Sequence, residues 1–381
     1  MKRREFLAGA ALAPTAFTAV SQPRPSAGDE GFVSLFDGTS LDGWSVVDGR
    51  ASAFHVHDGA IVVHPSDGFP AWLRSARRYE NFDFRGEFFV QGWTNSGIYL
   101  HAPEHGRPTW CGMKINIFHQ VDATPAPESM GAIFPIVAPR TVNVRNKGQW
   151  NAFRILMDWP RLQVWTNDAL IHDLDVESVP DLRHRLRSGY LGFESLSYPV
   201  RFRALRVREL PSKVAWTPLY ESPADLAKWR ILDGKPTFEA LGDILHADGD
   251  GHLGTIEPYG DFALEMYVRH ARHHNGGVVF GGPGGNAPGR RYEVQLHDVE
   301  GAHYPTGSLY GFRRATYPRI EPERWWLFQL HVEKGRCVVR ANGDTILEYS
   351  GLEMPTPGPI ALQAHGPGKW TEFTQIRVRN L

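Results

Sequence analysis

Apolar and polar residues alternate along much of the chain with a period of two. Tyr292-Glu293-Val294-Gln295-Leu296-His297 sets an apolar series (Tyr292, Val294, Leu296) against a polar one (Glu293, Gln295, His297). Successive strand side chains point to opposite faces, so this segment reads as a half-buried strand. Phe373 to Val378 does much the same. Val338-Val339 and Ile346-Leu347 flank Arg340-Ala341-Asn342-Gly343-Asp344-Thr345. Asn-Gly between two such runs predicts a hairpin with a primed turn. No segment shows the period of a long helix; Ala224 to Trp229 predicts one short turn. Many strands with Gly/Pro-rich turns predict a β-sandwich or jelly roll, an all-β class in which one sheet often curves into a concave face.

The pattern occurs twice. Leu41-Asp42-Gly43-Trp44 answers Leu226-Ala227-Lys228-Trp229, and Phe82-Asp83-Phe84-Arg85-Gly86-Glu87 answers Gly260-Asp261-Phe262-Ala263-Leu264-Glu265. Gln149-Trp150-Asn151-Ala152-Phe153 answers Arg324-Trp325-Trp326-Leu327-Phe328, and the Asn167-Asp168 turn answers Asn342-Gly343. Phe202 to Arg208 answers Phe373 to Arg379. The constant order points to duplication. Two copies are too few for a solenoid, so each is expected to be a complete domain, 31–210 and 214–381, joined near Leu210-Pro211-Ser212-Lys213.

Composition narrows the choice. The 381 residues carry 41 Lys+Arg against 42 Asp+Glu, a net charge of −1. That balance supplies no basic face for phosphates, so no nucleic-acid partner is expected. Gly (39) and Pro (28) are abundant, as are Phe (21), Trp (12) and Tyr (12), which suits short strands and many turns. Cys111 and Cys337 cannot make a disulfide framework and are expected as lone thiols buried in strands.

The first thirty residues read as an address. Lys2-Arg3-Arg4-Glu5-Phe6-Leu7 precedes an apolar stretch from Phe6 to Val20, and the paired arginines resemble a twin-arginine export signal. Pro14 and the short apolar run argue against a membrane span, and no cysteine follows for lipid anchoring. Cleavage is expected between Ala19 and Gly31, giving a folded protein passed by the twin-arginine export machinery to a periplasmic or secreted location.

The order of motifs after this segment resembles the 3-keto-disaccharide hydrolase domain family, long described as a domain of unknown function. In the first copy it rests on Leu35-Phe36-Asp37-Gly38 with Gly43-Trp44, and on Asn95-Ser96-Gly97-Ile98-Tyr99-Leu100. In the second it rests on Tyr292-Glu293-Val294-Gln295-Leu296, Pro305-Thr306-Gly307-Ser308-Leu309-Tyr310-Gly311 and Gln363-Ala364-His365-Gly366. The resemblance implies a concanavalin-like jelly roll and action on sugars oxidised to a ketone at C3, by hydrolase, lyase or hydratase chemistry. The copies depart from the pattern differently. The first has Lys114-Ile115-Asn116 for Glu-Val-Gln and Glu194-Ser195-Leu196-Ser197 for the Gln-x-His-Gly slot; the second has His274-Asn275-Gly276-Gly277 where Asn-Ser-Gly-Ile is expected. Either the second copy alone is catalytic, or both share a cleft, or neither is active.

Several residues could carry chemistry. Glu293, Gln295 and His297 share a strand face and suit a hydroxyl-rich ligand, though the same trio fits a plain solvated face. Their match to family positions implies a site. His365 is the candidate general base or acid and Glu293 its catalytic partner, the alternative for His365 being a loop cap. Tyr310, Gln363 and Asn275 are expected to contact substrate, with Tyr310 open also to core packing. In the first copy Asn95, Tyr99 and His101 would line a sugar-binding face beside Lys114 and Asn116, with His101 or His119 as its only bases. Arg269-His270-Ala271-Arg272-His273-His274-Asn275 reads as a solvated loop rather than a metal site, while a divalent metal held by Glu293, His297, Asp298 or His365 stays open.

A C3 ketone acidifies the C2 proton, so one base can form an enolate that expels the C1 substituent, with water adding later. A direct glycosidase needs two facing carboxylates, and only Glu293 is evident. The expected function is cleavage or hydration of 3-keto-glycosides by C2 proton abstraction and C1 elimination. The alternatives are a noncatalytic, lectin-like carbohydrate-binding protein and a structural tandem.

Overall fold

The computed structural model describes residues 30–64, 70–119, 124–196, 198–282, 291–299, 301–318, 320–353 and 357–381; the arginine-bearing segment read as an export signal lies outside them. The chain is nearly all β, as its alternation predicts. Residues up to 210 build one β-sandwich. An eight-stranded sheet faces a five-stranded one made of Trp44–Val47, Ala71–Tyr79, Gly189–Ser195, Asn95–Ala102 and Met113–Phe118. Phe82, Phe84, Phe193 and Phe202 are completely buried between them.

From Thr217 onward the strands form a single eleven-stranded sheet that folds back on itself. Ile244–Thr255 pairs through 244–247 with Thr371–Asn380 and through 250–254 with Ala361–His365, so one strand serves both layers. The front layer continues through Asn275–Phe280 to Tyr292–His297. The back layer runs through Phe262–His270, Trp326–Glu333, Arg336–Ala341 and Asp344–Ser350. The apolar series of the front strands (Val278, Val294, Leu296, Leu362) meets that of the back strands (Leu264, Phe328, Val339, Phe373) in one core. The polar series is thereby turned outward.

Local predictions resolve in detail. Asn342 and Gly343 both have positive φ, 47° and 88°, between the paired Ala341 and Asp344, which is the primed turn. Gly343 is required twice over: a Cβ there would lie 2.4 Å from the Trp110 carbonyl carbon of the first unit. The short turn after Ser222 is a 3-10 helix over Pro223–Lys228. Cys337 lies buried in a strand, but Cys111 closes the one-turn helix Pro108–Cys111, so its burial comes from the contact between units. Burial raises the two thiols to about 12 and about 11 respectively.

The units meet on the outer side of the second unit's back layer. Arg377, Glu265, Gln329 and Arg340 form a hydrogen-bonded row across four adjacent strands, with Arg377 Nη2 donating to Glu265 at 2.6 Å and Gln329 to Glu265 at 2.9 Å. The first unit completes the row: Ser188 Oγ accepts from Arg377 at 2.8 Å, the His184 carbonyl from Gln329 at 3.2 Å, and the Trp110 carbonyl from Arg340 at 3.3 Å. Cys111 and Leu186 pack with Tyr267 and Leu327 beside it.

Candidate functional site

The outward series of the second unit's front layer gathers most of the expected residues. Register places Gln295, Gly277, Gln363 and His252 in one row across four strands, with Asp233 beyond His252 on a fifth. Asn275 pairs with His297 one step along, and Asp250 pairs with His365. One step the other way lies Glu293, opposite Val279.

Gly277 decides what this face can do. A Cβ there would lie 2.5 Å from Glu293 Oε1, so the carboxyl leans sideways over the neighbouring strand. Burial raises the Glu293 pKa, opposed by the charge of His252. The carboxyl over Gly277 is two strand spacings, about 10 Å, from His252 in the same row, with Gln363 between them. His252 Nδ1 stands 2.7 Å from Asp233 Oδ1, and its Nε2 lies 3.3 Å from the Gln363 amide nitrogen. A proton on Nδ1 satisfies both contacts, leaving Nε2 as an acceptor aimed along the face. The Gln295 and Asn275 side-chain oxygens are buried and make no hydrogen bond among the described residues. Unpartnered buried acceptors carry a desolvation cost that hydroxyl donors of a ligand would remove.

His365 stands apart from Glu293. It is two strands and four residues away, about 16 Å between Cα atoms by strand geometry, and its Nδ1 faces Asp250 Oδ1 at 3.6 Å on the exposed rim. His297 is half-buried near it, its pKa lowered by burial and by Lys369. Tyr310 is an exposed rim residue; its backbone N–H donates to the Glu293 carbonyl at 2.9 Å and its ring packs on Tyr304. Among the described residues no three His, Cys, Asp or Glu side chains converge as a metal cage.

His252 and Asp233, which the sequence reading did not single out, supply the imidazole and its carboxylate across Gln363 from Glu293. The histidine-rich stretch also differs from expectation. His270 and His274 are buried and stacked at 5.3 Å, and His274 bonds the Lys369 carbonyl and Thr371 rather than solvent. Burial holds His274 at a pKa of about 3. The stretch is a solvated loop only at Arg272 and His273, the exposed tip of the turn between Phe262–His270 and Asn275–Phe280, while His270 and His274 are drawn into the sandwich edge.

The first unit repeats the geometry with different chemistry. Its row is Asn116, Gly97, Glu194 and Trp72. Lys114, in the position of Glu293, leans over Gly97 and meets Glu194, in the position of Gln363, at 2.9 Å. Tyr99 donates to Glu194 at 2.7 Å and packs edge-on against Trp72. The buried pair fills the place that is open in the second unit. Asn95 and Tyr99 therefore belong to a different face, and the first unit sits against the back layer, so this face and the front layer of the second unit share no cleft. His101 is turned by a positive φ of 51° into the core, bonds the Glu80 carbonyl and is held by burial at about 4. His119 packs against Trp93 with ring centroids 4.0 Å apart and planes tilted by 42°.

Gly277→Ala is expected to push the Glu293 carboxyl off its seat, because the contact it creates is with a movable side chain. Turnover should fall at least tenfold while the melting temperature stays close to that of the parent, measured by steady-state kinetics and calorimetry.

Solved structures with related folds include a provisionally named glycosyl hydrolase from Parabacteroides distasonis ATCC 8503 (20% identity, TM-score 0.43, 48% of this chain and 96% of that one). A second protein from the same organism, of the same description, shows 18% identity and a TM-score of 0.41 over 47% of this chain and 99% of its own. The carbohydrate binding module CBM66 from Bacillus subtilis shows 14% identity and a TM-score of 0.34 over 44% of this chain and 94% of that one. None of the curated proteins matches the chain. A family profile described as 3-keto-alpha-glucoside-1,2-lyase-like domain matches residues 31–208 and again 215–380. With nearly its whole described length covered by two consecutive matches, the chain belongs to the 3-keto-disaccharide hydrolase family as a tandem of two of its domains.

Proposed function

We propose that the protein is an exported, periplasmic or secreted enzyme that cleaves or hydrates 3-keto-glycosides, with the chemistry on the outer front face of the second unit. The observation that carries this reading is the opposed pair on that face: a carboxyl group with a raised pKa over Gly277 and an imidazole oriented by Asp233. A carboxyl group and an imidazole on the two sides of a gap of this width are the pair that acid–base chemistry on a sugar needs.

His252 Nε2, freed when the Gln363 amide turns to the substrate, takes the C2 proton, made acidic by the C3 ketone. The electron pair moves into the enolate, whose oxygen is met by amide N–H groups of Gln295, Gln363 or Asn275. The enolate re-forms the ketone and expels the C1 oxygen, which takes its proton from Glu293. Water adding across the resulting enone gives the net hydrolysis product; release before that step gives the lyase outcome. His365, His297 and Tyr310 form the rim where the remainder of the glycoside rests. Among the described residues no second carboxyl group faces Glu293 across the gap, since Asp233 is held by His252 and Asp250 stands beside His365, and this supports elimination over direct displacement, which needs two.

The mechanism is tested by running the reaction with a 3-keto disaccharide in heavy water. Deuterium at C2 of the hydrated product, lost together with turnover in His252→Gln and slowed at least tenfold in Asp233→Asn, is the expected result. Product formed without C2 exchange would overturn the elimination route. For the first unit the buried Lys114–Glu194 pair favours a second reading, saccharide binding without catalysis, in the hollow of about 260 Å³ beside Trp72, Tyr99 and Trp110.

A further inference from the structure

A cavity of about 340 Å³ lies between the two units, on the side of the second unit away from the front face. Its walls bring together Arg183 and Arg187 of the first unit with Arg336 and Arg379 of the second, around His184 and His331. Counter-charge at this place is already spent. Glu177 is engaged by Arg187 and by Trp159 Nε1 at 3.1 Å, and Glu333 by Lys334 at 2.8 Å. Arg183 uses its Nε on the Glu177 carbonyl at 2.8 Å, and Arg336 reaches only an exposed Glu348 at 3.6 Å. Among the described residues of the walls no further acidic side chain stands against Arg183, Arg336 and Arg379.

Two nitrogens in this cavity, Arg379 Nε and His331 Nε2, are buried without a hydrogen-bond partner among the described residues. The imidazoles of His184 and His331 lie 4.3 Å apart. Burial, then the charges of Arg340, Arg183 and Arg187, hold His184 at about 4. Burial, then His184 and Arg340, hold His331 well below its ordinary value. Burial and the surrounding guanidinium groups thus keep both histidines neutral beside an excess of positive charge. Such an arrangement costs stability in isolation and is relieved by a negative ligand.

We propose that the cavity between the units is a binding site for an oxyanion group, a carboxylate, sulfate or phosphate, carried by a saccharide or supplied as the free ion. Guanidinium forks match such groups in bidentate fashion, and the volume exceeds that needed for a bare ion, leaving room for an attached sugar ring. Because its walls come from both units, the ligand would also clamp the tandem in one arrangement, which gives the noncatalytic copy a role in ligand capture.

The test is calorimetric titration of the full chain at constant ionic strength with inorganic phosphate, sulfate, glucuronate and glucose 6-phosphate, with glucose as the neutral control. Saturable binding of at least one anion and none of glucose is expected. Tighter binding of glucuronate or glucose 6-phosphate than of the free ions assigns the site to charged saccharides; the reverse order assigns it to the free ion. Arg379→Gln and, separately, the half-exposed Arg183→Gln should each weaken binding at least tenfold, while Arg77→Gln, on the surface with Glu209, should not. Unliganded melting curves of each variant check folding. Binding undiminished in both cavity variants, binding lost equally in Arg77→Gln, or no anion binding at all would overturn the proposal.

Discussion

Glu293→Gln is expected to leave the second unit folded and able to bind a saccharide while cutting turnover of a 3-keto-glycoside by about 10²–10⁴-fold, the range for losing a general acid. The carboxyl group sits over Gly277 with the nearest imidazole across a gap of a sugar's width. Glutamine keeps its shape but cannot give up a proton to the C1 oxygen. The stability effect should have the opposite sign. Burial raises the Glu293 pKa, so as pH climbs the unfolded chain ionises first and the folded state is penalised. Below the ordinary glutamate value both states are protonated and the variant gains nothing; as pH rises through the folded value, wild type loses stability that the variant keeps. Melting curves at pH 3 and pH 7 read this directly: no difference at the lower pH and a higher melting temperature for Glu293→Gln at the higher one. A variant less stable at pH 7 would show that the carboxylate is instead held ionised by partners.

The second large effect falls on the other unit. Lys114→Met removes one half of an ion pair whose side chains are only 4% and 10% exposed, leaving the Glu194 charge buried. Breaking a buried pair from one side typically costs about 3–5 kcal/mol, and about 2–4 °C of melting temperature per kcal/mol applies to a domain of this size. A drop of roughly 10 °C in the first unit's transition is expected by that conversion. Adding Glu194→Gln should recover most of it, since Tyr99 can still donate to the amide oxygen and no charge remains. Turnover should be unchanged in the double variant. Loss of activity with the fold restored would mean that the first unit takes part in the chemistry.

What could be read from the chain, and what could not, follows from the range of each interaction. Alternation in Tyr292 to His297 set the outward face correctly because it depends only on neighbours two residues apart, and the Asn342-Gly343 turn is equally local. His252 and Asp233 gave no such signal. They lie in a Gly- and Asp-rich hairpin whose register slips between Ile231 and Asp233, and only pairing of Ile244–Thr255 with Ala361–His365 brings them beside Gln363. His101 broke the period because a positive φ turns one residue through the sheet, and His274 was lost to solvent only on paper, being covered by Thr371 and the Lys369 carbonyl from far along the chain. Register also aligns Asn275 with Asn95, so the Asn-x-Gly feature survives in both copies one position from where the sequence suggests.

One comparison weighs most directly on the front face as a catalytic surface. The purified protein is incubated with a disaccharide oxidised to a ketone at C3 and, in parallel, with its unoxidised parent, and released monosaccharide is followed over time. Cleavage of the ketone alone, abolished in Glu293→Gln and in His252→Gln, is the expected outcome. Equal cleavage of both sugars, or undiminished cleavage in the two variants, would contradict it.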